Sequence, residues 1–359
     1  MFLQNSRKFL KWVVIIIGVI ILVLGLLILK TFRDAGEFKE IMPHFAGQCK
    51  TISGVLSSED ITIHPQTGIA YISSDDRRPW SQGMQGDQGA IFSFDLTSDQ
   101  PSLVNLTEDF DKEFHPHGIG LLLGHNGNVS LFVVNHRKEG HFVEIFDYKN
   151  NRLIHRKSIQ GDLMHSPNDV LPVGPESFYV TNDHGSDSEF GRTLEDYLQL
   201  SRSYVLYYNG ETFNVVAKNL IYANGINMSR DGKTIYVAAT LSRKVFVYDR
   251  DMASHALKLR HEIDLGTGVD NIEVDEEGNL WIGAHPKLLT FVKHSKDPNI
   301  LSPSQVLRVA VKRTGEHKVD EIYLSRGDDL SGSSVAAVFQ DTMLIGSVLD
   351  GRFLVCKIH

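Results

Sequence analysis

The feature that most constrains the fold of this 359-residue chain is a six-fold internal repeat. Each unit has a polar start, a short strand, a turn and a strongly apolar strand. The units begin at Glu59, His115, Asn168, Asn224, Asp270 and Ser331. Further β-rich segments lie between them, so each unit offers about four strands in roughly 50 residues, which is typical of a propeller blade. The repeat therefore predicts an all-β fold, a six-bladed β-propeller with a central channel, in one domain.

The N-terminal segment does not share this repeat. The residues from Trp12 to Leu29 contain no charged side chain, and as a helix they would span about 27 Å, close to the hydrocarbon thickness of a bilayer. The apolar part of a cleaved signal peptide is shorter and ends in small residues, whereas this run continues into KTFRDAG. We interpret it as an uncleaved transmembrane signal anchor, with a cleaved signal peptide as the alternative.

The charges around this segment predict the membrane topology of the chain. Arg7, Lys8 and Lys11 precede the apolar run, so the positive-inside rule places the N-terminus in the cytosol. The propeller is then extracytoplasmic, at the cell surface or in the secretory pathway, or on the periplasmic side in a bacterium. The predicted parts are a cytosolic tail (1–11), a transmembrane anchor (12–29), a linker (30–48) and the propeller (49–359).

The cysteine count agrees with an oxidising compartment. Cys49 and Cys356 lie at the two ends of the predicted propeller. Such a pair predicts a disulfide that ties the N-terminal strand to the last blade, although two unrelated buried thiols are the alternative. Three glycosylation sequons, at Asn105, Asn128 and Asn227, would be usable only in a eukaryotic secretory pathway.

Acids and amides recur at the starts of the repeat units. Equivalent positions of a propeller point at one channel, so we expect these side chains to converge at Glu59, Asp60, Asn168, Asp169, Asn224, Asp270 and Asn271. A turn would explain any single member, but four of the six units share the feature. Buried carboxylates without a cation are costly, and carboxylate and amide oxygens are the ligands that Ca²⁺ prefers. We therefore predict calcium rather than a purely structural polar plug.

Histidines of the second unit are candidates for general acid–base catalysis. His117 in HPHG and His136 in VVNH are placed near the same channel end. His115 and His117 are two residues apart and are expected to share a strand face. Residues that end apolar strands of other units, and are either functional or satisfied in loops, are Asp183, His184 and His285.

Several other functions have no support in the sequence. The formal charge is −8 and no basic patch stands out, which argues against a nucleic-acid partner. The chain also lacks G-x-S-x-G, H-E-x-x-H, C-x-x-C, Walker A and G-x-G-x-x-G motifs. Serine hydrolase, zincin, redox and nucleotide-binding interpretations are therefore unsupported.

The motifs SSEDI, PHGI, VVNH, VGPESFYVTNDH, ANGIN and GSSVA occur in this order from about Cys49 to Cys356. In these residues the chain resembles the paraoxonase/arylesterase family of calcium-dependent lactonases. The resemblance implies a six-bladed propeller with two Ca²⁺ ions, and it implies that His117 and His136 activate water. The implied ligands of a catalytic calcium are Glu59, Asn168, Asn224, Asp270 and Asn271. The implied ligands of a deeper structural calcium are Asp60, Asp169 and the backbone carbonyl of Ile119.

The function that this resemblance implies is hydrolysis of lactones and aryl esters, with phosphotriesters as a possible side reaction. Calcium would polarise the carbonyl while a histidine-activated water attacks. The partners are a small lipophilic lactone or ester and the membrane. The alternatives are a gluconolactonase-type sugar-lactone hydrolase and a non-enzymatic, calcium-stabilised propeller scaffold. Ala284 replaces a cysteine found in mammalian relatives, and the segments 77–89 and 185–202 fall at variable active-site loops, the second including a lid helix.

Overall fold

The N-terminal part forms one long helix and two strands that join sheets completed much later in the chain. The computed structural model describes residues 2–81, 84, 86–124 and 127–358. Helix α1 (Phe2–Asp34) is followed by strands β1 (His44–Phe45) and β2 (Gly47–Ser53). Within residues 9–34 of α1 an 18-residue window reaches a mean hydropathy of 3.4, and this span is long and apolar enough to cross a membrane. The predicted apolar helix is thus confirmed, and its length and composition suit both an anchor and a signal sequence.

The first three blades follow the chain in order as antiparallel sheets. Blade 1 contains β3 (Asp60–Ile63), β4 (Ile69–Ser74), helix α2 (Arg77–Ser81), β5 (Ala90–Asp95) and β6 (Leu103–Asn105). Blade 2 contains β7 (Pro116–Leu123), β8 (Val129–Arg137), β9 (Gly140–Lys149) and β10 (Arg152–Ile159). Blade 3 contains β11 (Pro167–Pro172), β12 (Phe178–Asn182), helix α3 (Glu189–Leu198), β13 (Ser203–Tyr208) and β14 (Phe213–Leu220).

The last three blades complete the ring, two of them with strands from the N-terminal part. Blade 4 contains β15 (Ala223–Met228), β16 (Thr234–Ala239), β17 (Lys244–Arg250) and β18 (Leu257–Asp264). Blade 5 contains β19 (Gly268–Val274), β20 (Leu280–His285), helix α4 (Leu288–Lys296), β21 (Ser304–Val311) and β22 (His317–Ser325), with β1 outside β22. Blade 6 contains β23 (Ser333–Phe339), β24 (Thr342–Ser347) and β25 (Arg352–Ile358), with β2 as its outermost strand.

The ring closes at blade 6. Strand β2 pairs antiparallel with β25, and Cys49 lies opposite Cys356 in this pair. The two cysteines form a disulfide across 307 residues of sequence. The innermost strands of successive blades contact one another, and β23 contacts β3 of blade 1. The predicted six-bladed propeller and its disulfide closure are therefore confirmed.

The hydrophobic core lies between neighbouring blades. One cluster joins Phe132 of blade 2 to Phe178 of blade 3, and another joins Tyr179 of blade 3 to Val237 of blade 4. Apolar faces of twisted sheets bury one another in this way at a gain of about 25 cal/mol per Å². Because the core lies between the blades, the axis of the ring is left to polar side chains.

The segment predicted as a linker packs against blade 5. The carbonyl of Ala35 accepts a hydrogen bond from the Leu288 amide, 2.9 Å away. The carboxylate of Glu37 accepts two bonds from Thr290, one from its amide and one from its hydroxyl. Strand β1 then extends the blade 5 sheet. The C-terminal end of α1 is therefore held close to the propeller.

The three sequons differ in accessibility. Asn105 and Asn128 are exposed. The amide of Asn227 instead donates to the carbonyl of Ile272 and accepts from the Met228 amide, each at 2.8 Å. Asn227 is thus occupied between two blades, and glycosylation stays a prediction for the other two.

Candidate active site

β-bulges shape the start of the innermost strands in blades 2 to 5. The strand register shifts between Pro116 and Ile119, Pro167 and Val170, Ala223 and Ile226, and Val269 and Ile272. A bulge leaves residues out of the ladder and re-aims their side chains. The polar residues predicted from the repeat lie inside these bulges, except Glu59 directly before β3 and Asp60 at its start. The polar starts that recur in the sequence therefore correspond to a β-bulge that recurs in the backbone.

Two glycines allow neighbouring bulges to approach closely. A Cβ atom on Gly118 would lie 2.4 Å from the Cα of Asp169, and one on Gly225 would lie 2.6 Å from the Cα of Asn271. Both contacts are with backbone, which cannot move aside as a flexible side chain can. Glycine is required at these positions because the polar residues of adjacent blades meet there.

The five residues predicted to hold a catalytic calcium are all buried. Among the described residues, no group donates a hydrogen bond to four of their oxygen atoms, which are Glu59 Oε2, Asn168 Oδ1, Asn224 Oδ1 and Asn271 Oδ1. A buried polar atom left without a partner costs about 1–3 kcal/mol. Four such oxygens from four blades form a donor set that fits a hard cation such as Ca²⁺.

The amide nitrogens explain how these oxygens are oriented. Asn168 Nδ2 donates to Asp183 Oδ2 at 3.2 Å, and Asn224 Nδ2 donates to Thr240 Oγ1 at 3.0 Å. Asn271 Nδ2 donates to Glu59 Oε1 at 3.0 Å. Since each nitrogen is engaged by protein, each carbonyl oxygen is left for another partner.

The two carboxylates of this set have different electrostatic surroundings. Burial alone would raise the pKa of Glu59, but the charge and hydrogen bond of His117 lower it to about 2. Burial raises the pKa of Asp270, and its partner His285, 2.8 Å away, only partly opposes this rise. His285 in turn stacks on Phe291, with ring centroids 4.1 Å apart. His285 therefore holds the Asp270 carboxylate through this contact, and Phe291 holds the His285 ring.

Asp60 and Asp169 form a second buried pair. Asp60 accepts bonds from the amides of Ile61 and Ile119, and Asp169 accepts bonds from the amides of Val170 and Ile226. Burial and then the charge of a neighbouring carboxylate raise the pKa of both groups well above the usual range. Buried like charges of this kind would be stabilised by a cation.

The two predicted calcium sites do not consist of acidic side chains alone. In the part of the chain that the structure describes, no three His, Cys, Asp or Glu side chains come together as a metal site. The first set is completed by amides, and the second has two carboxylates. The ion assignments therefore remain proposals.

The two predicted histidines contact each other. His117 Nδ1 and His136 Nε2 are 2.8 Å apart, and His117 Nε2 lies 3.5 Å from Glu59 Oε1. Burial, followed by the charges of His141 and His117, lowers the pKa of His136 well below its usual value. The expected shared strand face of His115 and His117 is wrong. His115 precedes β7 and its ring contacts Asp75, because the bulge begins at Pro116.

The secondary candidates fall into two groups. His285 supports Asp270, as described above. His184 lies between two carboxylates, 2.6 Å from Asp183 Oδ1 and 3.0 Å from Asp196 Oδ1. Burial lowers its pKa, but the bonds to Asp183 and Asp196 outweigh this and raise it to about 10. His184 thus connects helix α3 to Asp183, which holds the Asn168 amide.

A cavity of about 450 Å³ opens above these residues. Its floor includes Glu59, His117 and Asp270, and helix α4 supplies an apolar wall with Leu288 and Phe291. The ends of α1 and α3 also line it. The lid helix predicted within 185–202 is present as α3, whereas part of the other variable loop lies outside the described residues.

One residue of this region was missed by sequence reasoning. His141 Nδ1 lies 2.8 Å from His136 Nδ1, and the two residues are cross-strand partners in the β8–β9 hairpin. The signal was available in VVNHRKEGH, because a tight turn at Lys138 and Glu139 would place the two histidines opposite each other.

The family profile named Arylesterase matches residues 40–358. The chain belongs to the arylesterase family. It is 35% identical over 358 residues to human serum paraoxonase/arylesterase 1, covering 96% of this chain and 99% of that protein. It is 38% identical to chicken serum paraoxonase/arylesterase 2, covering 89% and 91%. Human serum paraoxonase/lactonase 3 is 33% identical, covering 96% and 98%. This membership confirms the resemblance and the prediction of a hydrolase.

Solved structures with low identity share the fold of this arylesterase-family chain. A luciferin-regenerating enzyme has a TM-score of 0.55 at 12% identity, covering 87% of this chain and 95% of its own. A gluconolactonase from Xanthomonas campestris has a TM-score of 0.53 at 13% identity, covering 90% and 96%. These likenesses support the propeller architecture alone.

Proposed function

We propose that this chain is a calcium-dependent hydrolase of lipophilic lactones and aryl esters. The observation that carries the proposal is a set of four buried oxygens that lack a donor among the described residues, three of them on residues that line the same cavity as His117. Neither feature is needed to hold a propeller together. Their combination supports a reaction in which a carbonyl is polarised and water is deprotonated.

The proposed ligands of the catalytic ion are Glu59, Asn168, Asn224, Asp270 and Asn271. Calcium bound there would supply Lewis-acid polarisation of the substrate carbonyl and stabilise negative charge on its oxygen. Asp60 and Asp169, with the Ile119 carbonyl, would hold a second, structural ion. Calcium titration of the chelated protein should then resolve two binding events of unequal affinity, and one event or none would contradict the second site.

The protein's own part in the reaction falls to the histidines. His117 Nδ1 is engaged by His136, so His117 Nε2 is the ring nitrogen left to accept a proton from water. Because its pKa is so low, His136 stays a neutral partner that orients this ring. Proton transfer by a positioned base is typically worth about 10²–10⁴-fold in rate.

The cavity supports a lipophilic substrate. Its volume falls in the range of small-molecule sites, and the side chains of Leu288, Leu289 and Phe291 line one wall. A sugar lactone would leave its hydroxyl groups without partners along that wall, which disfavours the gluconolactonase alternative. Phosphotriester hydrolysis is proposed only as a side reaction.

We also propose that α1 is an uncleaved signal anchor and that the propeller lies outside the cytoplasm. The disulfide between Cys49 and Cys356 supports an oxidising compartment. Intact-mass analysis of the mature protein together with protease protection of membranes tests this arrangement. Loss of the first 30 residues, or a propeller protected on the cytosolic side, would overturn it.

The decisive assay of the function compares a long-chain lactone, phenyl acetate and gluconolactone. We expect the lactone to be the best substrate, EDTA to abolish turnover, and added Ca²⁺ to restore it. His117→Gln should lower lactone kcat about 10²–10⁴-fold, while the control His317→Gln, at the exposed start of β22, should not. Undiminished turnover in EDTA, or preference for gluconolactone, would contradict the proposal.

A further inference from the structure

The end of α1, residues 30–35, is joined closely to blade 5. The Ala35 carbonyl accepts a hydrogen bond from the Leu288 amide at 2.9 Å, where α4 begins. The next residue, Gly36, has a φ of +74°, and a Cβ atom on it would lie 2.1 Å from the Pro286 carbonyl oxygen. Only glycine fits so tight a turn against neighbouring backbone. The end of α1 is therefore fixed beside the start of α4.

The same end of α1 is also joined to blade 4 and to the lid helix α3. Arg243 of blade 4 donates to the Asp34 carbonyl at 3.2 Å. On the other side, Lys30 Nζ donates to Gln199 Oε1 at 2.8 Å and to Asp34 Oδ2 at 2.7 Å. Gln199 is the C-cap residue of α3. The end of α1 thus connects the lid helix to the helix that forms the apolar wall of the cavity.

One face of this last turn lines the cavity. The Ala35 amide bonds to the Thr31 carbonyl at 2.8 Å, so the helical geometry continues to Ala35. Residues four apart lie on the same face of a helix, and both Thr31 and Ala35 line the cavity. Phe32 and Arg33 between them are exposed and are absent from its described lining. The end of α1 therefore contributes side chains to the site as well as tethering the propeller.

The cavity places this turn away from the reacting centre but on the path of a long substituent. In the proposed reaction the ester carbonyl lies at the floor, with Glu59 and His117. An alkyl tail gains most by covering apolar surface, and the apolar wall is supplied by Leu288 and Phe291 of α4. Since the Leu288 amide bonds to Ala35, that wall begins where α1 ends. A tail that follows the wall meets the end of α1.

We propose that the end of α1, through Thr31 and Ala35, is a specificity-determining wall that contacts the alkyl tail of the substrate. The inference rests on the proposed function and deepens it, because it assigns the choice among lactones of different tail length to residues of the apolar N-terminal helix. These residues contact the tail and not the carbonyl, so changes in them should alter turnover of long substrates and spare short ones.

The kinetic test uses the full-length, calcium-loaded chain and two lactones with the same ring, one with a long alkyl tail and one without a tail. Thr31→Phe narrows the cavity and should lower kcat/KM for the long lactone about 10–200-fold, the range for a misfit of about one methylene in an apolar pocket. The lactone without a tail should keep its kcat/KM. Arg33→Phe adds the same ring outside the cavity and should change neither value.

A labelling experiment tests the same contact without turnover. Thr31→Cys and Arg33→Cys proteins are alkylated with iodoacetamide in the presence of a lactam, the stable nitrogen analogue of each lactone. The long-tailed lactam should slow alkylation of Thr31→Cys and the lactam without a tail should not, while Arg33→Cys should react equally fast throughout.

Three results would overturn the inference: unchanged kinetics in Thr31→Phe, an equal loss for both lactones, or no protection of Thr31→Cys by the long-tailed lactam. If the wild type hydrolyses neither lactone, the proposed function fails, and the labelling still decides whether a long tail lies against α1.

Discussion

The buried cluster around Glu144 and the channel cluster around Glu59 differ in whether their oxygens have hydrogen-bond donors. In blade 2, Glu144 is fully buried, yet both of its oxygens are bonded. Oε1 accepts from Asn135 Nδ2 at 3.1 Å and from Arg137. Oε2 contacts His155 at 2.8 Å and accepts from Ser158 at 2.6 Å. The carboxylate oxygens of this cluster are therefore completely paired by protein groups, and the cluster is complete in that sense.

The channel cluster is equally buried but incomplete. Four oxygens from Glu59 and three asparagines have no donor among the described residues. Burial and acidity therefore do not separate a structural cluster from a functional one. What distinguishes a functional cluster from a structural one is whether each buried oxygen has a hydrogen-bond donor, because native proteins rarely leave such atoms unpaired.

The strongest test of this comparison removes one carboxylate from each cluster. Asp270→Ala should lower lactone kcat by at least about 10³-fold, because the polarisation lost is worth several kcal/mol. Glu144→Gln should keep kcat in the folded protein. Steady-state kinetics at saturating Ca²⁺ measure kcat of both variants. An active Asp270→Ala enzyme would contradict a catalytic role of the channel cluster.

A second test measures what the complete cluster contributes to folding. Glu144→Ala removes the buried partner of Arg137 and leaves it only the exposed Glu139, and breaking a buried pair typically costs about 3–5 kcal/mol. Urea denaturation of the calcium-loaded protein measures the free energy of unfolding. Glu176→Ala breaks an exposed pair with Lys157 and should leave that free energy nearly unchanged. An equally stable Glu144→Ala protein would show that blade 2 does not depend on the cluster.

A third test removes the disulfide, which lies in the outer strands of blade 6 and away from both clusters. Replacing Cys49 and Cys356 by serine should lower the free energy of unfolding by about 2–5 kcal/mol without changing lactone kcat. Thermal unfolding and kinetics on the same preparation measure the two quantities. A loss of kcat in the folded double variant would show that ring closure shapes the channel cluster.

The last expected effect is a pH dependence of stability that comes from His184. Its pKa is raised from 6.5 to about 10 in the folded protein, so its stabilising contribution is fully present below pH 6.5. Between pH 6.5 and 10 the unfolded state binds fewer protons than the folded state, and stability falls as pH rises. Urea denaturation across this range should show the decline, and His184→Gln should flatten it. An equal slope in both proteins would contradict the assignment.

The fold could be predicted from the sequence because the same pattern of strands and turns occurs six times. The sequence also predicted equivalent places for Asn168 and Asn224 in their units, and both residues line the cavity, whereas their role as ligands stays a prediction. It did not predict the bulges, and for that reason it wrongly paired His115 with His117. His141 was missed because its contact with His136 depends on the register of one hairpin, and the bond between Asp196 and His184 depends on how α3 docks.

The outermost strand of the last blade has a consequence for how the protein is made. Strand β2 is synthesised early, but its partner β25 is synthesised about 300 residues later, which takes about 15–60 s at usual translation rates of about 5–20 residues per second. Throughout this time β2 has an open edge and the growing propeller has no closing blade. Completion of the ring therefore waits for the synthesis of β25, and a chain that stops short of Arg352 leaves an unpaired strand edge, a template for aggregation.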